Sequence, residues 1–203
     1  VRALKERVLN GALGRLLYLR AQIGQYLPDW RPWQDYRKSY TGRKNLGGGI
    51  LLDASHEIDL AGHLAGSASS VYCVARKLSA LEIDVEDSAE LTLEFSGGAV
   101  GSVHLDMIRR APDRSCQLSF ERGVLEWSDQ QCSLREYSAK TGRWSVQKLG
   151  EDGNAAYFDE LSMVLRREPV LEGLANPDEG LEAVRVVEAA KRSSRSGRKE
   201  KLR

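Results

Sequence analysis

Apolar and polar residues alternate along most of the middle of this chain, a period of two that is typical of β-strands with one buried face. In residues 87–95, for example, every second position from Ala89 to Phe95 is apolar and the positions between are polar. The predicted strands are 15–23, 71–79, 87–95, 100–108, 115–120, 124–128, 132–137 and 143–149. Predicted turns lie at Gly97-Gly98, Arg122-Gly123 and Thr141-Gly142. Because such turns join neighbouring strands as hairpins, the sheet should be mainly antiparallel.

Four other segments have the helical period. The first ends at Asn10-Gly11, and the second follows a run of glycines and ends at Gly66. A third begins at Asn154 with an apolar stripe from Tyr157 to Leu165, and a fourth begins at Asn176-Pro177 with Leu181, Val184 and Val187 facing inward. Strands joined to one another, with helices before and after them, predict an α+β fold: an open, mostly antiparallel β-sheet with helices packed on one face.

The opposite face of the predicted sheet is polar. Its residues are Tyr18, Arg20, Gln22, Glu90, Thr92, Glu94, His104 and Asp106. An antiparallel sheet tolerates water on one face. The same face would also suit contact with a second copy of the chain, and a homo-oligomer formed through it is expected.

Composition predicts one soluble domain. The 203 residues are 41% hydrophobic and 29% charged, with a net charge of only +1, so neither nucleic acid nor a membrane is an expected partner. The apolar runs are too short for a membrane span of about 18 residues or more. Three cysteines without C-x-x-C spacing are expected to be reduced and buried, which favours a cytoplasmic location.

The predicted organisation has three parts. Residues 1–10 are the end of a joining helix, residues 11–193 form the main domain, and residues 194–203 are a basic tail. A helix that starts at residue 1 without a cap indicates a piece of a longer protein.

Candidate chemistry is concentrated where three glycines, Gly47 to Gly49, lead into the second helix. At 3.6 residues per turn, Asp53 and His56 would share a helical face with their Cβ atoms about 5–6 Å apart. A carboxylate that orients an imidazole can move a proton near neutral pH. The structural alternative is that Asp53 caps the helix and His56 is a buried histidine with satisfied hydrogen bonds.

Three other kinds of site fit the sequence poorly. A metal ion held by Asp53, His56 and His63 would have to span about 15 Å of helix, so no metal is expected. Ser55 and His56 point about 100° apart, and no G-x-S-x-G motif is present, which argues against a serine hydrolase. The chain also lacks a G-x-G-x-x-G or P-loop motif after a strand, so it carries no recognisable cofactor-binding residues of its own.

Residues 25–44 lack any period and are rich in aromatic and basic side chains. A long irregular loop in a compact domain is often functional. Its side chains suit a sugar ring together with an anionic group, and the predicted substrate-binding residues are Trp30, Arg31, Tyr36, Arg37 and Tyr40. The alternative is that these rings pack on the core or on another subunit.

Four segments resemble the C-terminal part of the Gfo/Idh/MocA oxidoreductases, the family of glucose–fructose oxidoreductase and inositol dehydrogenase. They are ALGRLLYLRAQI, GGGILLDASHEIDLAGHLAG, SFERGVLEW and NPDEGLEAVRVVEAAKRSSRSG. The second resembles the family's G-G-G…D…H-x-x-D helix, although many members place the aspartate four residues before the histidine rather than three. The loop YLPDWRPWQDYRKSY resembles a subgroup of bacterial surface-sugar pathways.

The resemblance implies an N-terminal Rossmann domain that binds NAD or NADP and is absent from this chain. It implies oxidation or reduction of a hydroxyl or carbonyl on a sugar, nucleotide sugar or polyol. His56 would be the catalytic proton donor and acceptor, Asp53 would orient it, and Asp59 would be a supporting residue. This chain alone is expected to be inactive. The competing hypothesis is a non-catalytic ligand-binding or oligomerisation module with the same fold.

Overall fold

One continuous β-sheet organises the molecule. The computed structural model describes residues 1–150, 158, 161–163, 165–166 and 177–202. The strands are β1 (Leu16–Gly24), β2 (Ala68–Arg76), β3 (Ser88–Phe95), β4 (Val100–Asp106), β5 (Asp113–Phe120), β6 (Gly123–Ser128), β7 (Ser133–Ser138), β8 (Arg143–Lys148) and β9 (Glu200–Lys201). Their order across the sheet is β8-β7-β6-β5-β1-β4-β3-β2-β9. Every neighbouring pair is antiparallel except β1 and β4, so the predicted α+β class and mostly antiparallel open sheet are confirmed.

The helices of the described residues are α1 (Arg2–Leu9), α2 (Leu27–Trp30), α3 (Ile50–Asp53), α4 (Ser55–Ala65) and α5 (Pro177–Ser196). α4 packs on β1, and α5 packs on α4 and β2. Leu4 of α1, Leu64 of α4 and Val187 of α5 are each 3% exposed or less and join one core with the inward side chains of the sheet. Burying one such side chain contributes about 1.5–3 kcal/mol.

Alternation along β3 places apolar residues from Ala89 to Phe95 in the core, as predicted. In β1 the prediction fails at one position. A register irregularity between Leu16 and Tyr18 interrupts the alternation, so Leu17 is 40% exposed although Leu19 is fully buried. A bulge adds a residue to one strand, and the side chains before it change face.

The inward stripe predicted for the last helix is also wrong in part. Val187 is buried, but Leu181 and Val184 are about half exposed, and burial in α5 involves Val186, Val187, Ala189, Ala190 and Ser193. The helix predicted from Asn154 is described only in part: residues 158, 161–163 and 165 are helical, as predicted. Phe158, Leu161 and Leu165 of its apolar stripe are 61%, 40% and 75% exposed. The start of this helix and the cap at Asn176 lie outside the described residues.

Part of the basic tail predicted at residues 194–203 belongs to the last helix and to the edge of the sheet. α5 continues through residue 193 to Ser196, and β9 then pairs with β2 along the edge of the sheet. Ser193 fixes this turn, because its hydroxyl accepts a hydrogen bond from the Cys73 main-chain N–H at 3.0 Å and donates to the Arg198 carbonyl at 2.6 Å. Gly197 adopts a positive φ of 68°, which ends the helix.

All three cysteines are free thiols. Cys73 and Cys116 are buried as expected, whereas Cys132 is only half-buried because it lies in the turn before β7. No helix in the described part of the chain is long and apolar enough to cross a membrane. The described residues contain no group of three or more histidine, cysteine or carboxylate side chains arranged to hold a metal ion.

Candidate active site

The glycine turn holds the long loop against the start of α3. Residues 25–46 are not wholly irregular, since they contain α2 and three 3₁₀ turns at Tyr36–Lys38, Tyr40–Gly42 and Lys44–Leu46. A side chain on Gly48 would collide with the main-chain carbonyl oxygens of Tyr40 and Thr41. The N–H of Gly49 donates to the Thr41 carbonyl at 3.0 Å, and Gly49 has a φ of 116°, a conformation that favours glycine. Residues 40 and 41 are thereby placed beside α3.

The helix predicted from the glycine turn to Ala65 is interrupted. Ala54 has φ −104° and ψ 21°, which are not helical values, so α3 ends at Asp53 and α4 begins at Ser55. Glu86 fixes the start of α3, because its carbonyl accepts from the Ile50 N–H at 3.2 Å and its carboxylate from the Leu51 N–H at 3.3 Å. The interruption means that Asp53 and His56 do not share one continuous helical face.

The Asp53 carboxyl group points toward the loop. Burial raises its pKa, while the Tyr40 and Thr41 hydroxyls and the charge of Arg31 oppose that rise. Oδ2 of Asp53 and Oγ1 of Thr41 are both buried, and neither makes a well-formed hydrogen bond to a described residue, although the Thr41 hydroxyl is near enough to lower the pKa of the Asp53 carboxyl group. Buried polar atoms without a well-formed hydrogen bond are uncommon in protein interiors, and a carboxylate oxygen and a hydroxyl in this state can accept from and donate to a bound hydroxyl group.

His56 presents a half-exposed imidazole, with 49% of its side chain accessible. Burial of the remainder lowers its pKa, the charge of Arg114 lowers it further, and a hydrogen bond to the main chain of Asp53 acts in the opposite direction. The structure therefore brings Asp53 and His56 together through the Asp53 main chain, whereas the sequence predicted a contact through the carboxylate.

Two charged residues beside His56 were not recognised from the sequence. Glu57 is fully buried, and its Oε1 lies 3.5 Å from His56 Nε2 and 2.6 Å from Arg114 Nε. The signal that could have revealed Glu57 is its spacing, because it stands at i in an apolar i, i+4, i+7 series with Ala61 and Leu64. Arg114 comes from β5, too distant in sequence to be paired with Glu57 from spacing.

The five predicted substrate-binding residues have different surroundings. Trp30 donates its indole N–H to the Gln25 carbonyl at 2.9 Å and packs against the core. The Tyr36 hydroxyl accepts from the Glu82 N–H at 3.4 Å. Arg37 is paired with Asp35 and Glu82 at 2.8 and 3.3 Å.

Arg31 and Tyr40 are the two of these five that face Asp53. The guanidinium of Arg31 lies 5.9 Å from the centre of the Tyr40 ring, and both residues influence the Asp53 carboxyl group. Tyr40 is 50% exposed, so its ring is accessible to a ligand. Asp59 lines a cleft of about 700 Å³ between α1, α4 and α5, which His56 and Arg114 also line.

A family model described as the GFO/IDH/MocA C-terminal domain matches residues 1–126. The chain belongs to this family. The levoglucosan dehydrogenase of Pseudarthrobacter phenanthrenivorans is 32% identical over 141 residues, which are 58% of this chain and 35% of that enzyme.

Solved structures of GFO/IDH/MocA proteins share the fold. The levoglucosan dehydrogenase complex with NADH and levoglucosan matches with a TM-score of 0.82 and 18% identity, over 98% of this chain and 62% of that one. WlbA dehydrogenase from Bordetella pertussis, in complex with NADH and UDP-GlcNAcA, matches with a TM-score of 0.72 and 24% identity, over 100% of this chain and 60% of that one. Aldose-aldose oxidoreductase from Caulobacter crescentus, complexed with glycerol, matches with a TM-score of 0.78 and 23% identity, over 98% and 59% respectively.

This chain spans about a third of the curated relative and three fifths of the solved ones. NAD or NADH is bound in solved structures of this kind. The residues of this chain do not include a glycine fingerprint after a strand that would cradle a dinucleotide.

Proposed function

We propose that this chain is the substrate-binding and catalytic-histidine part of an NAD(P)-dependent dehydrogenase. Its substrate would be a sugar, nucleotide sugar or polyol whose hydroxyl and carbonyl forms are interconverted. The observations that carry the proposal are the half-exposed imidazole of His56, held by a hydrogen bond to the Asp53 main chain, and the partly buried Asp53 carboxyl group that faces Thr41, Tyr40 and Arg31 of the loop. The sugar ligands of the family members levoglucosan dehydrogenase and WlbA support it.

His56 would move the proton at the reacting oxygen. Because the pKa of its imidazole is lowered, the ring is neutral at neutral pH and can accept a proton from a substrate hydroxyl. In the reverse direction the protonated ring would return that proton to the carbonyl oxygen.

Asp53, Thr41 and Tyr40 would bind neighbouring hydroxyl groups of the substrate, and Arg31 would contact an anionic substituent. The Asp53 Oδ2 and Thr41 Oγ1 atoms can serve as acceptor and donor because neither makes a well-formed hydrogen bond to a described residue. Trp30, Tyr36 and Arg37 would act indirectly, since their hydrogen bonds and ion pairs hold the loop that carries Arg31 and Tyr40. NAD or NADP would be bound mainly outside this chain.

Replacing His56 tests the proposal in the full-length protein. We expect His56→Gln to lower turnover of levoglucosan or a related sugar with NAD or NADP by roughly 10²–10⁴-fold, because a general acid–base group is lost. His63→Gln, seven residues later on α4, is the matched control and should retain activity. An unchanged rate in His56→Gln would contradict the assignment. Sugar binding without turnover in the unmodified protein would favour the non-catalytic binding module.

The open sheet face would contact a second copy of the chain. Six large hydrophobic residues on this face are 38–60% exposed: Tyr18, Tyr72, Val74, Val100, Trp144 and Val146. They are interspersed with ionic groups of both signs, including the Glu126–Arg135 pair at 3.0 Å. A face that is both apolar and charge-balanced suits a two-fold symmetric contact, in which the same patch serves both subunits.

A further inference from the structure

We propose that Glu57 and Arg114 form a buried ion pair that positions the imidazole of His56 and sets the electrostatic field at its Nε2 atom. The inference rests on the proposed catalytic role of His56 and makes Glu57 and Arg114 positioning residues for that reaction. It is carried by one shared atom: Oε1 of Glu57 lies 2.6 Å from Arg114 Nε and 3.5 Å from His56 Nε2.

The ion pair is fixed from the sheet side. Arg114 extends into the site from β5, and its guanidinium carbon lies 5.5 Å from the centre of the Trp127 ring. Its main-chain N–H donates to Gln130 Oε1 at 3.0 Å, and its carbonyl accepts from the Asp129 N–H at 3.0 Å. A guanidinium held by its main chain and by an aromatic ring keeps its position, and so it also fixes the Glu57 carboxylate that accepts from it.

Stability alone does not account for a charged pair at this position. Glu57 is fully buried and Oε2 has no hydrogen-bond partner among the described residues, so half of the carboxylate is desolvated without compensation. A leucine at this position would continue the apolar series of α4 with Ala61 and Leu64. Replacing buried ion pairs by apolar residues is often neutral or stabilising. The placement of a costly pair directly beside His56 therefore points to a role at the imidazole.

The two charges act on His56 in opposite directions. Arg114 disfavours the imidazolium and lowers the pKa of His56, after the larger effect of burial. A carboxylate at 3.5 Å favours the imidazolium, although that distance exceeds an ordinary hydrogen bond, so the effect of Glu57 is chiefly electrostatic. Burial raises the pKa of Glu57, and the charge and hydrogen bond of Arg114 oppose that rise only in part.

Other ionisable groups lie in or near the same cleft and also contribute to the electrostatic field at His56. They are Lys5 on α1, Asp59 and His63 on α4, Asp129 in the turn after β6, and Asp178, Glu179, Glu182 and Arg185 on α5. Glu57 lies 3.5 Å from the imidazole, and Arg114 donates to the same Glu57 oxygen at 2.6 Å, so a change at either residue should alter the electrostatic field at His56.

Histidine titration by NMR tests the pair without any need for turnover. The full 203-residue chain contains only three histidines, and the His56 signal is identified by its loss in His56→Gln. We expect Glu57→Gln to lower the His56 titration midpoint and Arg114→Gln to raise it, each by at least about 0.5 pH units. Glu188→Gln, which removes an exposed carboxylate paired with Lys191 at 3.0 Å, should leave the midpoint unchanged.

Shifts of opposite sign support the proposal, and shifts of equal sign or no shift in folded variants overturn it. If Glu57→Gln does not fold, as judged by circular dichroism, Arg114→Lys replaces it: this variant keeps the charge and should retain a midpoint near that of the parent chain, whereas Arg114→Gln raises it. Equal midpoints in these two variants also overturn the proposal. If the opposite shifts occur but His56→Gln retains full turnover, the proposed function fails while the electrostatic role of the pair stands.

Discussion

Two histidines of this chain experience opposite electrostatic surroundings. His56 lies beside a guanidinium and is partly buried, so its pKa is lowered. His104 lies on the open sheet face, where Nδ1 is 2.8 Å from Glu90 Oε2 and Nε2 is 3.0 Å from Asp106 Oδ2. The hydrogen bond to Asp106, followed by that to Glu90, raises the pKa of His104 despite partial burial. The first environment suits proton transfer, and the second favours the charged imidazolium between Asp106 of the same strand and Glu90 of the neighbouring one.

The raised pKa of His104 predicts a pH-dependent contribution to stability. The contribution is fully present below the unfolded-state pKa of about 6.5 and is lost as the pH rises through the higher folded-state value. We expect His104→Gln to lower the free energy of unfolding by about 1 kcal/mol at pH 5.5 and by much less at pH 9. Urea denaturation at both pH values measures this difference.

His63→Gln is the control for that measurement. Burial lowers the pKa of His63, so its protonation in acid opposes folding and its removal should not reproduce the loss at pH 5.5. An equal loss at both pH values in His104→Gln would mean that this side chain contributes packing alone.

At the level of secondary structure, the interruption between α3 and α4 determines how the candidate site is arranged. Apolar residues continue on both sides of Ala54, from Ile50 to Leu52 and from Ile58 to Leu64, so the sequence predicts one helix. The break coincides with tertiary contacts that no local pattern reveals, such as the Glu86 contacts at the start of α3. The β3–β4 hairpin, by contrast, depends on alternation and a Gly-Gly turn, and both were predicted correctly.

The site itself was predictable only in part. A carboxylate and a histidine near a glycine turn are visible in the sequence, and the structure places Arg31 and Tyr40 from the loop near that carboxylate. Trp30 and Arg37 look equally suitable by residue type, but Trp30 is hydrogen-bonded to Gln25 and Arg37 is paired with Asp35 and Glu82. Arg114 reaches the site because β5 lies next to β1 in the sheet, and the spacing of residues along the sequence does not predict that strand order.

Gly48 is the residue on which the loop contact depends most directly. We expect Gly48→Ala to lower the free energy of unfolding by about 1–3 kcal/mol, because the new Cβ would collide with two main-chain carbonyls that have little room to move. Gly62→Ala is the matched control within α4: its Cβ would meet open space, and alanine should stabilise the helix by about 0.5–1 kcal/mol. Urea denaturation of both variants measures these changes in the free energy of unfolding. Similar changes in the two variants would contradict the role given to Gly48.

On the scale of the whole molecule, the sheet has two faces with different environments. Helices cover one, while the other combines exposed apolar side chains with ionic pairs. This division is the physical basis for proposing that two copies meet through their sheets. The sequence predicted a polar open face correctly, but it did not reveal how many large apolar residues share that face.

Size-exclusion chromatography with light scattering tests the proposed contact. We expect the unmodified chain to form at least a dimer and Val100→Asp to shift it toward the monomer, because a buried unpaired carboxylate at a subunit contact is costly. Leu78→Asp is the control: Leu78 is 65% exposed but lies outside the strands, so its substitution should leave the mass unchanged. A monomeric parent chain would contradict the contact.

The parallel pairing of β1 with β4 also has a consequence for how the chain folds. β2 to β4 and β5 to β8 are hairpin-linked segments whose partners are close in sequence. β1, by contrast, pairs only with residues more than 80 positions later in the sequence: Tyr18 pairs with Val100 on one side and Leu16 with Phe120 on the other. Loops of this length close slowly, and non-local pairings dominate folding times. The two hairpin-linked segments should therefore assemble first, and insertion of β1 between them should be the late event that joins both halves of the sheet.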